Sequence, residues 1–172
     1  AGILLPALAK AKTKAHGIFC MNNGKQMILA FHQYTADFNE MLPPNPDDGN
    51  ETPYCNWCSG TMSSLPGATN ILNFMDPRKA SLAPYTGKNY QIYKCPADKK
   101  TVLVGGGKRV PTARSFAMSQ AVGTDPYSPS YGKLAVHGPW LDNNHNHTRS
   151  GRYRTYGRTS DMVLPPPSNL WV

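Results

Sequence analysis

The sequence predicts an α+β fold, in which a long N-terminal α-helix packs on a small antiparallel β-sheet with long loops. Two observations lead to this prediction. Residues 3–40 are rich in Ala, Leu, Lys, Met and Gln and contain few β-branched residues and no proline after Pro6, which favours one continuous helix. From Pro43 onwards the chain changes to short segments separated by glycine and proline, a pattern typical of short strands and turns.

The 172 residues are enough for one hydrophobic core and few for two. We therefore predict a helical region over residues 1–40 and a loop-rich β domain over residues 41–172. The sequence begins inside an apolar run and ends on the apolar residues 170–172. We accordingly expect further chain at both ends, with the β domain incomplete at its C-terminus.

The apolar residues of the predicted helix follow two stripes. The first stripe consists of Leu4, Leu8, Ala11, Ala15 and Ile18, and the second consists of Cys20, Gly24, Met27, Phe31, Tyr34 and Phe38. At about 100° per residue, Ile18 and Met27 lie about half a turn apart. We expect the aromatic second stripe to pack on the chain's own domain and the first to face another surface. The weak helix formers Asn22, Asn23 and Gly24 mark the change of face.

Four segments after the helix are predicted strands. Residues 89–95 and 101–104 are rich in β-branched, aromatic and other apolar side chains. Three consecutive glycines, residues 105–107, follow the second segment, and residues 108–110 then form the predicted return strand of a hairpin. Residues 114–122 are the fourth predicted strand.

The net charge of +8 suggests an acidic or anionic partner. Lys10, Lys12 and Lys14 lie near the start, and an arginine-rich segment with two tyrosines covers residues 149–158. Nucleic acid, anionic lipid headgroups and an acidic protein are all compatible with this charge. Because a solvated loop is the more common meaning of the arginine segment, we expect no nucleic-acid partner.

Four cysteines, Cys20, Cys55, Cys58 and Cys95, allow three disulfide pairings in an oxidising compartment. Cys55 and Cys58 have the CxxC spacing of redox sites, but such sites need a helix N-terminus after a strand. Here the pair lies in a segment rich in Pro, Gly and Ser, so we favour a disulfide over redox catalysis. Cys20 and Cys95 form no second CxxC, which argues against a zinc site.

Four residues are candidate ligands of a transition metal: His137, Asp142, His145 and His147. Asparagine and serine crowd the same stretch, so a polar surface loop is the preferred interpretation. The glycines before Lys108 lack the spacing of a phosphate-binding loop, and no nucleophile elbow or paired carboxylates stand out. We therefore predict neither enzymatic activity nor a cofactor.

Several segments together resemble the type IV pilin-like proteins, which include the type II secretion pseudopilins made with a prepilin-type methylation signal. Residues 3–12 resemble the segment where a pilin helix leaves the membrane, and Pro6 matches the helix-kinking proline of pilins. Similarity to the pilin-like proteins of planctomycetes and verrucomicrobia extends over C-x-N-N-x-K-Q at residues 20–26, Y-x-x-D at 34–37, L-P-P at 42–44, residues 76–78, 82–86 and 93–98, R-S-F-A-M at 114–118, and residues 160–162. The C-terminal H-x9-D-G segment of that family is absent from the sequence.

The resemblance implies a structural subunit of a type II secretion pseudopilus or type IV pilus-like filament. Its partners would be other pilin subunits, the inner membrane through the helix upstream of Ala1, and the prepilin peptidase that processes the precursor. The globular part would then be extracytoplasmic. In this interpretation Leu4, Pro6, Leu8, Ala11 and Ala15 belong to the assembly helix, while Met27, Phe31, Tyr34 and Phe38 hold the domain.

Two further hypotheses accompany the resemblance. A Cys20–Cys95 bond would pin the helix to the sheet, and Cys55 and Cys58 would then close their own loop. The alternative function is a membrane-anchored or cell-surface binding module that uses the helix only as an anchor and holds a ligand with the loops of residues 123–159.

Overall fold

The structure, a computed structural model, describes residues 4–45, 52–119, 121–124 and 156–162. Helix α1 (Leu4–Asp37) precedes the short helix α2 (Leu72–Met75) and a hairpin of strands β1 (Thr101–Leu103) and β2 (Arg109–Pro111). In this part of the chain, 3₁₀ turns lie at Gly67–Thr69, Tyr90–Tyr93, Gly105–Gly107 and Thr159–Asp161. One long helix beside a small antiparallel sheet confirms the predicted α+β class.

Helix α1 has 34 residues and is therefore about 51 Å long. It continues without interruption through Asn22, Asn23 and Gly24, so these weak helix formers lie where the apolar face changes but do not end the helix. The helix ends a few residues before the predicted boundary because Asn39 and Glu40 adopt left-handed backbone conformations, with φ of 51° and 64°.

The predicted hairpin is confirmed. Strands β1 and β2 pair antiparallel, with Val102 opposite Val110. The backbone N–H of Val104 donates to the Lys108 carbonyl at 2.7 Å and closes the turn. Gly106 and Gly107 lie within this turn at φ of 74° and 78°, a region that glycine enters without steric strain.

The predicted strand over residues 89–95 is wrong, because this segment forms a 3₁₀ turn at Tyr90–Tyr93. The Asn89 side chain accepts a hydrogen bond from the Gln91 backbone N–H, which starts a turn instead of an extended strand. The adjacent residues Ile92 and Tyr93 are both buried. A strand would point them to opposite faces, whereas the turn places both in the core.

The predicted strand over residues 114–122 is also wrong, since residues 114–119 form no strand. The backbone N–H of Ser115 donates to the Tyr93 carbonyl, and that of Ala113 donates to the Ala68 carbonyl. Both hydrogen bonds run to 3₁₀ turns and not to a partner strand. Val122 makes only an isolated bridge to Tyr156.

Aromatic side chains fill the larger of two hydrophobic clusters, which we call the main core. It contains Tyr34, Trp57, Cys58, Phe74, Ala80, Leu82, Ala83, Ile92 and Tyr93. Phe74 and Tyr93 stack with ring centroids 5.1 Å apart. Among the named elements, the Tyr90–Tyr93 turn is the one on which α1 packs most extensively. The main core therefore forms between α1, the short helix α2 and a set of turns and loops.

A smaller cluster, the minor core, joins the chain after α1 to two distant segments. It contains Leu42, Val122, Tyr156 and Met162. Gly123 makes this meeting possible, because its φ is 130° and a Cβ there would overlap the Asn45 side chain and lie 3.0 Å from the Pro43 carbonyl oxygen.

Candidate interaction surface

The lower half of α1, residues 20–37, is joined to the globular region, and the junction begins with a disulfide. Cys20 is bonded to Cys95, with Cα atoms 5.1 Å apart. This confirms the predicted Cys20–Cys95 pairing. The bond joins residues 75 positions apart, so it fixes the helix to a segment that is distant in sequence.

Asn23 adds a polar contact one turn after the disulfide. Its side-chain amide donates to the Lys94 carbonyl at 3.0 Å and lies 3.4 Å from the Gln91 carbonyl. Gln91 lies within the Tyr90–Tyr93 turn, and Lys94 is the residue that follows it. Asn23 therefore binds the domain directly, a role that its low helix propensity does not reveal.

The four residues predicted to pack on the domain do so to different degrees. Tyr34 is buried in the main core, Met27 packs against the same core while partly exposed, and Phe31 packs against the minor core. Phe38 is 41% exposed and stacks on Tyr34 at 4.3 Å. The sequence pattern did not single out Ala30, which is 1% exposed and brings the helix close to the domain.

A tyrosine pair ends this junction. The Tyr85 hydroxyl donates to the Asp37 carboxylate at 2.8 Å, and its ring meets that of Tyr34 edge to face. Burial, and secondarily the neighbouring Tyr85, raises the pKa of Tyr34 to about 12. Burial and then the hydrogen bond to Asp37 raise the pKa of Tyr85 to about 12. Both phenols therefore stay neutral at physiological pH.

The upper half of α1 has a different environment. Residues 5–19 are exposed apart from the partly buried His16. Their apolar side chains include Leu5, Leu8, Ile18 and Phe19, which are 71%, 69%, 63% and 60% exposed. The covalent and hydrogen-bond links from α1 to the rest of the described chain begin only at Cys20. The helix thus carries large apolar side chains away from its own domain.

The predicted assembly residues lie on this exposed half. Pro6, Leu8, Ala11 and Ala15 are all exposed, and Leu4 is the first residue of α1. Leu8, Ala11, Ala15 and Ile18 follow one side of the helix at intervals of three and four residues. Leu8, Ala11 and Ala15 therefore share one exposed surface, whereas Pro6 lies about 160° from Leu8 around the axis.

The predicted Cys55–Cys58 disulfide is wrong, because both thiols are free. Cys58 is buried, and the Arg114 guanidinium donates to its sulfur at 2.9 Å while lying over the Trp57 ring. Burial raises the pKa of the Cys58 thiol to about 12, although Arg114 acts in the opposite direction. Such a thiol is protonated at neutral pH, which does not fit a redox nucleophile.

The candidate metal ligands His137, Asp142, His145 and His147 lie outside the described residues. Within the described ranges, no group of three or more His, Cys, Asp or Glu side chains is arranged to hold a metal ion. Nor does any helix there combine the length and apolar character that a membrane span requires.

Comparison with known proteins gives no match to a family model, a curated protein or a solved structure.

Proposed function

We propose that this chain is a structural subunit of a type II secretion pseudopilus or a type IV pilus-like filament, which acts by helix-mediated assembly and not by catalysis. The observation that carries the proposal is the exposed apolar half of α1. Burying one Leu, Ile or Phe side chain gains about 1.5–3 kcal/mol relative to leaving it in water. Helices from neighbouring subunits would gain this energy by covering Leu5, Leu8, Ile18 and Phe19.

The composition of the exposed half suits helix bundling. Ala7, Ala11 and Ala15 recur every four residues, and small side chains allow two helices to approach closely. The contacts of residues 20–37 meanwhile hold the globular region on the side of α1 opposite to this alanine row. This division supports a filament with helices at its centre and domains outside.

The proposed location is the extracytoplasmic side of the inner membrane, with an anchor supplied by helix upstream of Ala1 and released from its leader by a prepilin peptidase. The Cys20–Cys95 disulfide supports this location, because disulfides persist in oxidising compartments. The resemblance of residues 3–12 and 20–26 to pilin segments supports the same assignment.

Cysteine crosslinking tests the proposal. The complete protein carrying Leu8→Cys in a Cys55→Ser background is expressed with its neighbouring genes in native membranes and oxidised with copper phenanthroline. We expect intermolecular dimers, because Leu8 lies on the proposed helix contact. The products are measured by non-reducing electrophoresis.

Leu103→Cys is the matched control. Leu103 is also an exposed leucine, 58% against 69% for Leu8, but it lies on β1 in the globular region. We expect far less dimer from this variant. Equal yields at both positions, or no dimer at Leu8, would contradict helix-mediated assembly.

The alternative, a surface module that holds a ligand with the loops of residues 123–159, rests mainly on residues 125–155, which lie outside the described chain. No contact in the described residues favours it.

A further inference from the structure

The exposed half of α1 carries a cluster of positive charge without a counterion. Lys10, Lys12 and Lys14 are all exposed and lie within five residues. The sequence contains no Asp or Glu from Ala1 to Ala36. None of the three lysines forms an ion pair with a residue that the structure describes. Their charges are therefore available to an anionic partner.

The three lysines lie on two opposite sides of the helix and do not form a stripe. At about 100° per residue, Lys14 lies about 40° from Lys10, while Lys12 lies about 200° from Lys10. Along the axis the three occupy only about 6 Å. They therefore form a collar of positive charge at a single height, with Leu5 and Leu8 before it and Ile18 and Phe19 after it.

This arrangement selects among anionic partners. A polyanion such as nucleic acid lies along one side of a helix and would leave Lys12 or the other two lysines unpaired. A helix lying flat on a membrane would have the same problem, because Lys12 lies on the side opposite Lys10 and Lys14 and the two sides cannot face the headgroups together. A helix standing upright in a bilayer brings all three ammonium groups to the headgroup layer together, with their stems extended outwards.

We propose that Lys10, Lys12 and Lys14 bind anionic phospholipid headgroups at the level where α1 emerges from the membrane. The inference rests on the membrane anchoring in the proposed function and adds the lipid class to it. Basic residues near an anionic surface each strengthen binding about fivefold, and the attraction decays within a Debye length of about 8 Å at physiological salt. The collar would thus hold the subunit at a defined depth before assembly.

Lys25 provides a matched control on the same helix. It is also exposed, but it lies about 20 Å beyond Lys12 along the axis. On the helix surface it is on the side of Lys14, about 20° away. An upright helix therefore keeps Lys25 away from the headgroups, whereas a helix lying flat on its Lys10 and Lys14 side would place Lys25 next to them as well.

The test is flotation of the 172-residue chain carrying an N-terminal myristoyl group, which stands in for the anchor and by itself gives only marginal, reversible membrane binding. Vesicles of 70% phosphatidylcholine and 30% phosphatidylglycerol are compared with vesicles of pure phosphatidylcholine, at 100 mM and 500 mM KCl. We expect much stronger binding to the anionic vesicles at low salt and little preference at high salt. Lys10→Gln, Lys12→Gln and Lys14→Gln should each weaken binding about fivefold, and the triple variant about a hundredfold. Lys25→Gln should weaken it less than twofold.

Two results would overturn the collar. One is a flat-helix pattern, in which Lys25→Gln weakens binding and Lys12→Gln does not. The other is equal binding to anionic and phosphatidylcholine vesicles at 100 mM KCl; binding of duplex DNA that the triple variant loses would then assign the lysines to nucleic acid. Unchanged circular dichroism confirms that the variants fold. Loss of the collar with Leu8 crosslinks intact removes this inference alone, whereas loss of the crosslinks removes the proposed function.

Discussion

Asp98 organises the segment that carries one half of the disulfide. Its carboxylate accepts from the Lys94 ammonium at 2.7 Å, from the Ser115 hydroxyl at 2.5 Å and from the Lys100 backbone N–H at 2.8 Å. Ser115 in turn accepts from the backbone N–H of Cys95. These hydrogen bonds, Lys94 first, lower the pKa of Asp98 to about 2. One carboxylate therefore connects three backbone segments beside Cys95.

The lowered pKa of Asp98 gives a pH-dependent stability. Because the folded pKa lies below the usual value near 3.9, the contribution is complete above about pH 4 and is lost as the pH falls towards about 2. We expect Asp98→Asn to lower the unfolding free energy by about 1 kcal/mol at pH 7 and to flatten its decline between pH 4 and pH 2. Urea unfolding at several pH values measures both effects.

Asp76→Asn is the control for Asp98. The hydrogen bond from Arg78 lowers the pKa of Asp76 to about 2 as well, so both carboxylates titrate in one pH window. The Arg78 side chain is 66% exposed, however, and surface ion pairs contribute little to stability. The Asp76 variant should therefore lose less stability at pH 7. Parallel pH profiles for Asp98→Asn and the parent chain would contradict the role given to Asp98.

Single polar residues are the part of this structure that the sequence predicts least well. Asn23 and Asn89 are the same residue type and so have the same intrinsic propensity. Asn23 nevertheless binds carbonyls about 70 positions away, whereas Asn89 starts a local turn. Pairwise contacts over such distances depend on the finished fold. The sequence pattern records only that a polar residue is tolerated at each position.

At the scale of elements, α1 and the hairpin were predictable because their signals are local. Helix formers repeat over about nine turns in α1, and a glycine turn lies between the two short strands. The strand predicted at residues 89–95 failed because alternation over seven residues is weak beside an Asn cap and two adjacent buried side chains. The exposed face of α1 was predictable from the shift of its apolar stripe.

The Cys20–Cys95 disulfide links α1 covalently to the globular region. Replacing both bonded residues, by Cys20→Ala with Cys95→Ala, opens a loop of 75 residues in the unfolded chain. We expect the unfolding free energy to fall by about 3–4 kcal/mol. Urea denaturation followed by tryptophan fluorescence measures the change, since Trp57, one of the three tryptophans, is buried in the main core.

Cys55→Ser is the control for the disulfide variant. Cys55 is a free, partly exposed thiol, so its replacement should change stability by less than about 0.5 kcal/mol. An equally small effect of removing Cys20 and Cys95 would mean that the noncovalent contacts of Asn23, Met27 and Tyr34 already hold α1 in place. The covalent link would then be dispensable for the fold.

The whole molecule is a globular region attached to one half of a helix, and this arrangement separates stability from assembly. The core contacts of α1 come from Met27, Phe31 and Tyr34, whereas the exposed apolar residues precede Cys20. Removing residues 1–17 should therefore leave the unfolding free energy of the remaining chain unchanged within about 0.5 kcal/mol. Urea denaturation of the truncated and full chains makes the comparison.

A longer truncation, of residues 1–26, sets the scale for this comparison. It also removes Cys20 and Asn23, so it should destabilise the chain by about 3 kcal/mol or more. Comparable destabilisation by the two truncations would show that residues 1–17 pack on their own domain. If only the longer truncation destabilises, the upper half of α1 contributes nothing to the fold of the single subunit. Its leucines and lysines then have to be explained by what they bind outside the chain, namely neighbouring helices and anionic headgroups.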